Sequence, residues 1–299
     1  MAPSDSDGTT MRAIKSWAIQ SSGLRINDDA ETRLMGALKD TCTSYSMFGC
    51  IPFTNEITGW QAFPDEDMFV HCSTKVLRIL TDYTIPSTEI FVGADPVTAH
   101  RVRENMLAGV FYRVENFDQA VYSKLSIREH LLNGDARIVK IKDWLYEEFP
   151  RDYFVKPTKD LKSFKGGVID AGYTLSQFVH QGMVDASFEK AVADGETMMI
   201  AMTKEILREY RFFVVDGEVA AYSQYMVGDQ VKYDRYVPLW LKDKATEFAQ
   251  IYVPSRAFTI DLCVTKDLEV KIVEYNCINC SGLYHADIAE LIRYLAYMR

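Results

Sequence analysis

Apolar and polar positions follow two different rhythms along this chain. At 69–80, FVHCSTKVLRIL, an apolar run gives way to small polar residues and then to apolar positions at helical spacing. That order predicts a short strand, a turn and a helix. STEIFVG at 87–93 predicts another strand, and ADPVTAHRVRENML at 94–107 a helix. Alternation of this kind predicts a small parallel sheet in the first third of the chain.

The rhythm then changes. DYFVKP at 152–157 predicts a strand stopped by proline, and the polar TKDLKSFKGG that follows ends in Gly166-Gly167. TMMIAMTKEI at 197–206 is apolar enough for a buried strand. REYRFFVVDGEVAAYSQYM predicts two strands around Asp216-Gly217, a hairpin-turn pair. AFTIDLCV and VKIVEYN, separated by TKDLE, predict a second hairpin. SGLYHADIAELIRYLAYM closes the chain as an amphipathic helix, with Ser281 or Asn279 as its cap. The last two thirds therefore read as antiparallel α+β.

With 299 residues the chain makes one large domain or two to three interlocked lobes. A hydrophobic share of 48% and a charged share of 25% match a soluble globular protein. The net charge of −9 argues against a protein that tracks the nucleic-acid backbone, yet leaves room for a local basic nucleotide pocket. No apolar run approaches the roughly 20 residues of a membrane span. MAPSDSDGTT lacks a basic-then-apolar order, so residues 1–10 read as a disordered tail ahead of a second methionine, Met11. Six cysteines are too sparse for a disulfide scaffold and point to a reducing, cytoplasmic setting.

The candidate chemistry lies on the hairpins. Glu274 and Asn276 are two apart on one predicted strand and share a face. If Asp261 pairs across from them, three oxygen ligands converge, a set that suits Mg²⁺. A solvated hairpin face is the alternative. Lys156, Lys162 and Lys165 lie on or beside the loop ending in Gly166-Gly167, and Arg211 lies in a predicted strand. Glycines let a backbone approach phosphates closely, and lysines and arginine supply charge; the alternative is a surface loop. Ser73 and Thr74, at a strand-to-helix turn, either bind substrate or cap the helix. Cys277, Cys280 and His285 offer three zinc ligands, but no second CxxC or nearby fourth ligand completes a site, and packing thiols are favoured.

The order of these motifs resembles the ATP-grasp superfamily, and in particular a clade often met in bacteriophage genomes. FVKPTKDLKSFKG, EYRFFVVDGEV, FTIDLCV and EYNCINCSGLY are similar to that clade's four successive motifs, across 154–284. One departure is Lys156, which stands where arginine is common. The resemblance implies a small parallel α/β pre-ATP-grasp domain (11–118), a central lobe (119–205) and a C-terminal lobe (206–299), the two α+β lobes clasping ATP. It implies that Lys156 and Lys162 hold the phosphates, with Phe164, Gly166 and the rest of 164–167 as a flap. Met202, Thr203, Lys204 and Glu205 would receive adenine at a hinge. Arg211, with Lys162, would act on the transferred phosphate or an acyl-phosphate. Asp261, Glu274 and Asn276 would bind Mg²⁺, and Asn279 and Ser281 would orient an anionic group.

The activity so implied is ATP- and Mg²⁺-dependent ligation of a carboxylate to an amine, located in the host cytoplasm if the chain is phage-encoded. The substrates left open are small molecules, peptide or protein termini and a modified nucleobase, with no membrane partner. A non-catalytic ATP-binding sensor or inhibitor module is the alternative class.

Overall fold

The computed structural model describes residues 14–21, 28–159, 163–181 and 186–298. The tail expected at 1–10 and the phosphate ligand expected at Lys162 lie outside them. Three sheets organise the described residues. The first joins β1 (Ser16–Gln20), β2 (Ser44–Cys50), β3 (Ile57–Thr58) and β4 (Met68–His71) in the order β3-β2-β1-β4. Its central strand pairs in parallel with β2 and β4, as the strand–helix alternation predicts. The second holds β5 (Arg137–Lys140), β6 (Tyr153–Pro157), β7 (Gly167–Ile169) and β8 (Thr197–Met202) in the antiparallel order β5-β8-β6-β7. The third holds β9 (Ile206–Val215), β10 (Glu218–Val227), β11 (Gln230–Asp234), β12 (Ala257–Thr265) and β13 (Val270–Cys277), in the order β11-β10-β9-β12-β13.

Both expected hairpins form. The β9–β10 turn places Asp216 at φ 48° and Gly217 at φ 84°, the two left-handed positions of a tight hairpin. The run FFVV is buried on both faces of β9, so its apolar character is continuous and not alternating. Phe212 and Val214 enter one core, Phe213 and Val215 another. The same two cores flank the first sheet, through Ala18 on one side and Trp17 and Ile19 on the other. The first and third sheets are therefore packed as one body. The second sheet keeps its own core, built from Val155, Phe164, Ile169, Met198 and Ile200.

Two expectations fail. Ser87–Ile90 is a single helical turn and not a strand. Pro86 precedes it with φ −60°, already set for helix entry, and Ile90 and Phe91 plug the core. The closing helix is Ile288–Ala296, and its cap is Asp287, whose carboxylate accepts from the Glu290 N–H. Asn279 and Ser281 lie upstream of it, in and just after a 3₁₀ turn. Among the described residues no helix is long and apolar enough to cross a membrane.

Candidate active site

Register builds the centre of the site. Arg211 on β9 lies opposite Asp261 on β12, and Asp261 lies opposite Glu274 on β13. Arg211 donates from Nε to Asp261 Oδ1 at 2.8 Å and from Nη2 to Oδ2 at 2.7 Å, a buried two-point ion pair. Lys156, from the second sheet, reaches Glu274 Oε2 at 2.6 Å. Asn276 Nδ2 donates to Glu274 Oε1 at 2.9 Å and to Asp261 Oδ2 at 3.4 Å. The three expected oxygen ligands and two of the expected cations thus come together. The β12–β13 register shifts just past the Asp261–Glu274 pair, leaving Val273 unmatched. Such a bulge re-aims its strand, and Val273 and Glu274 both face the cleft.

The charges follow from the contacts. Burial works against the Glu274 carboxylate, but Lys156 and the Asn276 amide outweigh it and hold its pKa at about 2. Burial also works against the Arg211 charge, and Asp261 lifts its pKa well above the ordinary value. Burial raises the pKa of Asp261 and, on the same face, of Glu209, which accepts from Tyr225 Oη at 2.6 Å.

A cleft of about 410 Å³ opens between the second and third sheets. Lys156, Phe164 and Gly166 line it on one side, Met202, Thr203 and Lys204 at the hinge, Glu274 and Asn276 on the other. A Cβ on Gly166 would stand 2.7 Å from Lys156 Cβ, so only glycine lets the loop lie this close to β6. Phe164 lines the cleft yet also packs edge-on against Phe188, anchoring the loop in the second sheet's core. Lys204 is held by Asp135 at 2.8 Å and by the Met202 carbonyl at 3.4 Å. Glu205 is not on this wall; it pairs with Lys266 on the surface at 2.8 Å. Lys165 is exposed and does not line the cleft.

A second cleft, of about 470 Å³, lies between the helix Asp28–Asp40, the end of β4 and the 280–285 loop. Ser73 and Ser281 line it; Thr74 and Asn279 do not. Ser73 occupies the cap position of its helix without a side-chain capping bond. Asn279 is fully buried. Its Nδ2 donates to the Val70 and Gly109 carbonyls at 2.7 and 2.8 Å, and its Oδ1 accepts from the Phe111 N–H at 2.8 Å. It staples β13's end to the first sheet and has no open face for an anion.

Arg211 lines neither cleft. It is buried between them, 5.8 Å from the ring centre of Tyr225, which walls the first, and 4.9 Å from that of Tyr284, which walls the second. Tyr225 and Tyr284 stack with centroids 5.0 Å apart. Neither tyrosine, nor Glu209, stood out in the sequence. GLY at 282–284 and the apolar run of β10 were visible, but nothing local tells which tyrosines cover a guanidinium.

Glu274 and Asn276 line the first cleft, and an ionised carboxylate beside an amide oxygen is a donor set that fits a hard divalent cation. Asp261 lies behind them, committed to Arg211. Among the described residues no group of three His, Cys, Asp or Glu is placed to hold a metal. Cys277 is buried with its thiol 3.4 Å from Asn279 Oδ1, while Cys280 lines the second cleft.

Two antiparallel sheets closing on a cleft, with lysines on one wall and carboxylates on the other, define a clasp for a nucleotide and its cation. The chain belongs to the ATP-grasp family: residues 108–295 match the ATP-grasp domain, in the third family of one of its clades. ATP-grasp enzymes use ATP and Mg²⁺. Among solved structures, the chain is similar to the D-cycloserine synthetase DcsG at 13% identity, covering 94% of this chain and 98% of that one, with TM-score 0.54. It is similar to a RimK domain ATP-grasp protein of Sphaerobacter thermophilus at 12% identity, covering 94% and 99%, with TM-score 0.51. It is also similar to D-alanyl-alanine synthetase A of Vibrio cholerae O1 biovar eltor at 11% identity, covering 95% and 98%, with TM-score 0.50. At these identities the likeness is one of fold. No curated protein matches the sequence.

Proposed function

We propose that this protein joins a carboxylate to an amine at the expense of ATP, releasing ADP and phosphate. The observation that carries the reading is the position of Arg211. One tyrosine of its cover walls the lysine-lined cleft and the other walls the second cleft, so one guanidinium sits where two ligands would meet.

In this reading the first cleft holds ATP. Lys156 and Lys162 hold the phosphates, Phe164 and Gly166 carry the flap, and Met202 to Lys204 form the base hinge. Glu205, which points to the surface, drops out of the adenine contacts. Glu274 and Asn276, with Asp261 behind, would hold Mg²⁺, which would supply positive charge against the phosphates. In the first step the bond from the γ-phosphorus to ADP breaks and a bond to the substrate carboxylate oxygen forms. In the second the amine nitrogen bonds to the activated carbonyl carbon, phosphate leaves with the C–O electron pair, and the nitrogen gives up a proton. The fixed charge of Arg211 stabilises the developing negative charge, and Asp261 holds it in place without needing reorganisation. No side-chain nucleophile is required.

Ser73 and Ser281 face the second cleft and would contact the substrate there. Asn279 and Thr74 act through structure instead.

The test is ADP formation by the full chain with ATP, Mg²⁺ and pooled carboxylates and amines, with mass spectrometry for the condensed product. ADP together with a product that has lost one water from its two substrates is the expected result. A chain that binds ATP and forms no ADP with any pool would be a nucleotide-binding module, and the ligase reading would fall.

A further inference from the structure

Two thiols that ligation does not use meet at the second cleft. Cys72, just past the end of β4, and Cys280, at the end of the 3₁₀ turn Ile278–Cys280, both line it. The backbone holds them side by side. The Cys72 N–H donates to the Asn279 carbonyl at 2.9 Å, and Asn279 Nδ2 donates to the Val70 carbonyl at 2.7 Å. The side chains meet as well, with a hydrogen bond from the Cys72 thiol to the Cys280 sulfur. Both cysteines are reduced. Neighbouring backbones and touching sulfurs are what a disulfide needs if it is to form without strand movement.

The two positions differ in what reaches them. Cys280 is half-buried, whereas Cys72 is 8% exposed. Burial and the bond to Cys280 push the Cys72 thiol well above its ordinary pKa, so it stays protonated. Thiolates and not thiols attack oxidants, which favours Cys280 for the first attack and Cys72 for the second. The CxxC spacing suggests Cys277 as the partner of Cys280, and the structure differs. Cys277 is 1% exposed and does not line the cleft. Its thiol lies against Asn279 Oδ1 at 3.4 Å and the Phe111 carbonyl at 4.0 Å.

We propose that Cys72 and Cys280 form a dithiol site that a hydroperoxide oxidises to a reversible disulfide, narrowing the second cleft. Cys280 Sγ attacks the hydroperoxide: an S–O bond forms, the O–O bond breaks, and the departing oxygen takes the Cys280 proton as water or an alcohol. Cys72 Sγ then attacks the sulfenic sulfur: the S–S bond forms, the S–O bond breaks, and water leaves with the Cys72 proton. The thiols together give up two electrons, and the hydroperoxide takes them. An S–S bond of about 2.05 Å is shorter than any thiol hydrogen bond, so it draws the 280–284 loop toward β4. That loop carries Ser281, Tyr284 and the Gly282 carbonyl, which accepts from Arg211 Nη1 at 3.5 Å. The dithiol chemistry stands apart from the ligase reading; only the loss of turnover rests on it.

The test treats the reduced full chain with hydrogen peroxide, alkylates it in denaturant, and reads the digest by mass spectrometry. A Cys72–Cys280 cross-linked peptide that dithiothreitol removes is the expected product, with Cys277 alkylated in the same sample. Cys280→Ser is expected to lose the cross-link, and in Cys72→Ser dimedone is expected to trap a sulfenic acid at Cys280. Should Cys72→Ser not fold, the wild-type cross-link decides. Full alkylation of both thiols after oxidation overturns the proposal, as does Cys277 found as the partner of Cys280. With a substrate pool that yields ADP, oxidation is expected to stop ADP formation while leaving ATP-analogue affinity unchanged. Dithiothreitol is expected to restore it, which separates the disulfide from methionine sulfoxide, since that lesion needs its own reductases. Unchanged turnover in the cross-linked chain overturns the narrowing of the cleft. No cross-link removes this inference and keeps the ligase reading; a cross-link in a chain that makes no ADP with any pool removes the ligase reading and keeps the dithiol site.

Discussion

Glu274 owes its ionisation to Lys156 from the second sheet and to Asn276 on its own strand. Burial alone would raise its pKa; Lys156 and Asn276 bring it to about 2. That is below the ordinary glutamate value of about 4.3, so the pairing stabilises the folded chain above that pH and the contribution is lost as pH falls toward 2. The difference in melting temperature between wild type and Glu274→Gln should therefore be largest near neutral pH and shrink on acidification. A difference that does not change with pH would contradict the pairing. In the ligase reading Glu274→Gln should also cost on the order of 100-fold in turnover, because a preorganised charge is lost. Asn279 is the opposite case. Its three short bonds are internal, so Asn279→Ala should cost about 2–4 kcal/mol in denaturant stability, from unsatisfied backbone groups. A stability change within error would show the staple to be dispensable. At this scale the sequence was informative where strand parity applied: Asp261, Glu274 and Asn276 do share a face. It misjudged Asn279, since the side chain's partners lie on β4 and in the 109–111 segment, far away in sequence.

Gly166 is the last residue of the loop that enters β7. The loop lies against β6 so closely that any side chain there meets Lys156, while Phe164 two residues earlier is held in the core. A loop anchored on one side and closely packed on the other is suited to a flap over phosphates. Hydrogen exchange at 163–167 should slow when ATP and Mg²⁺ are added, because segments that cover a ligand must open to admit it. Equal exchange with and without nucleotide would remove the flap. Elements were legible wherever local chemistry decides them, as in the Asp216-Gly217 turn and the apolar strand ending at Met202. They were not where packing decides. The residues 87–93 have strand-like Ile, Phe and Val, but the turn entered from Pro86 lets Ile90 and Phe91 fill a core that no periodicity reveals. The strand β1 was missed for a related reason: it is five residues long and central, and both its faces are buried.

The whole molecule divides where its cores divide. The first and third sheets share two cores, the second sheet has one of its own, and the first cleft lies along that division. Lys156 already bridges that division through its 2.6 Å contact with Glu274. The second cleft, by contrast, lies inside the first unit. The order of the motifs made the clasp legible: residues of the first, second and fourth line the cleft, and the third places Asp261 behind them. The meeting of the two clefts at Arg211 was not legible, because Tyr225 and Tyr284 come from different elements and carry no motif of their own. In the ligase reading the reaction turns on that meeting point, and Arg211→Ala probes it, with ATP affinity and ADP formation measured on the same preparation. A group that acts on charge developing in the transition state contributes to rate without contributing equally to ground-state binding. ATP affinity should stay within roughly tenfold of wild type, about 1.4 kcal/mol, while ADP formation falls on the order of 100-fold or more. Affinity and turnover falling in equal proportion, or turnover left intact, would contradict a role for Arg211 in the reaction.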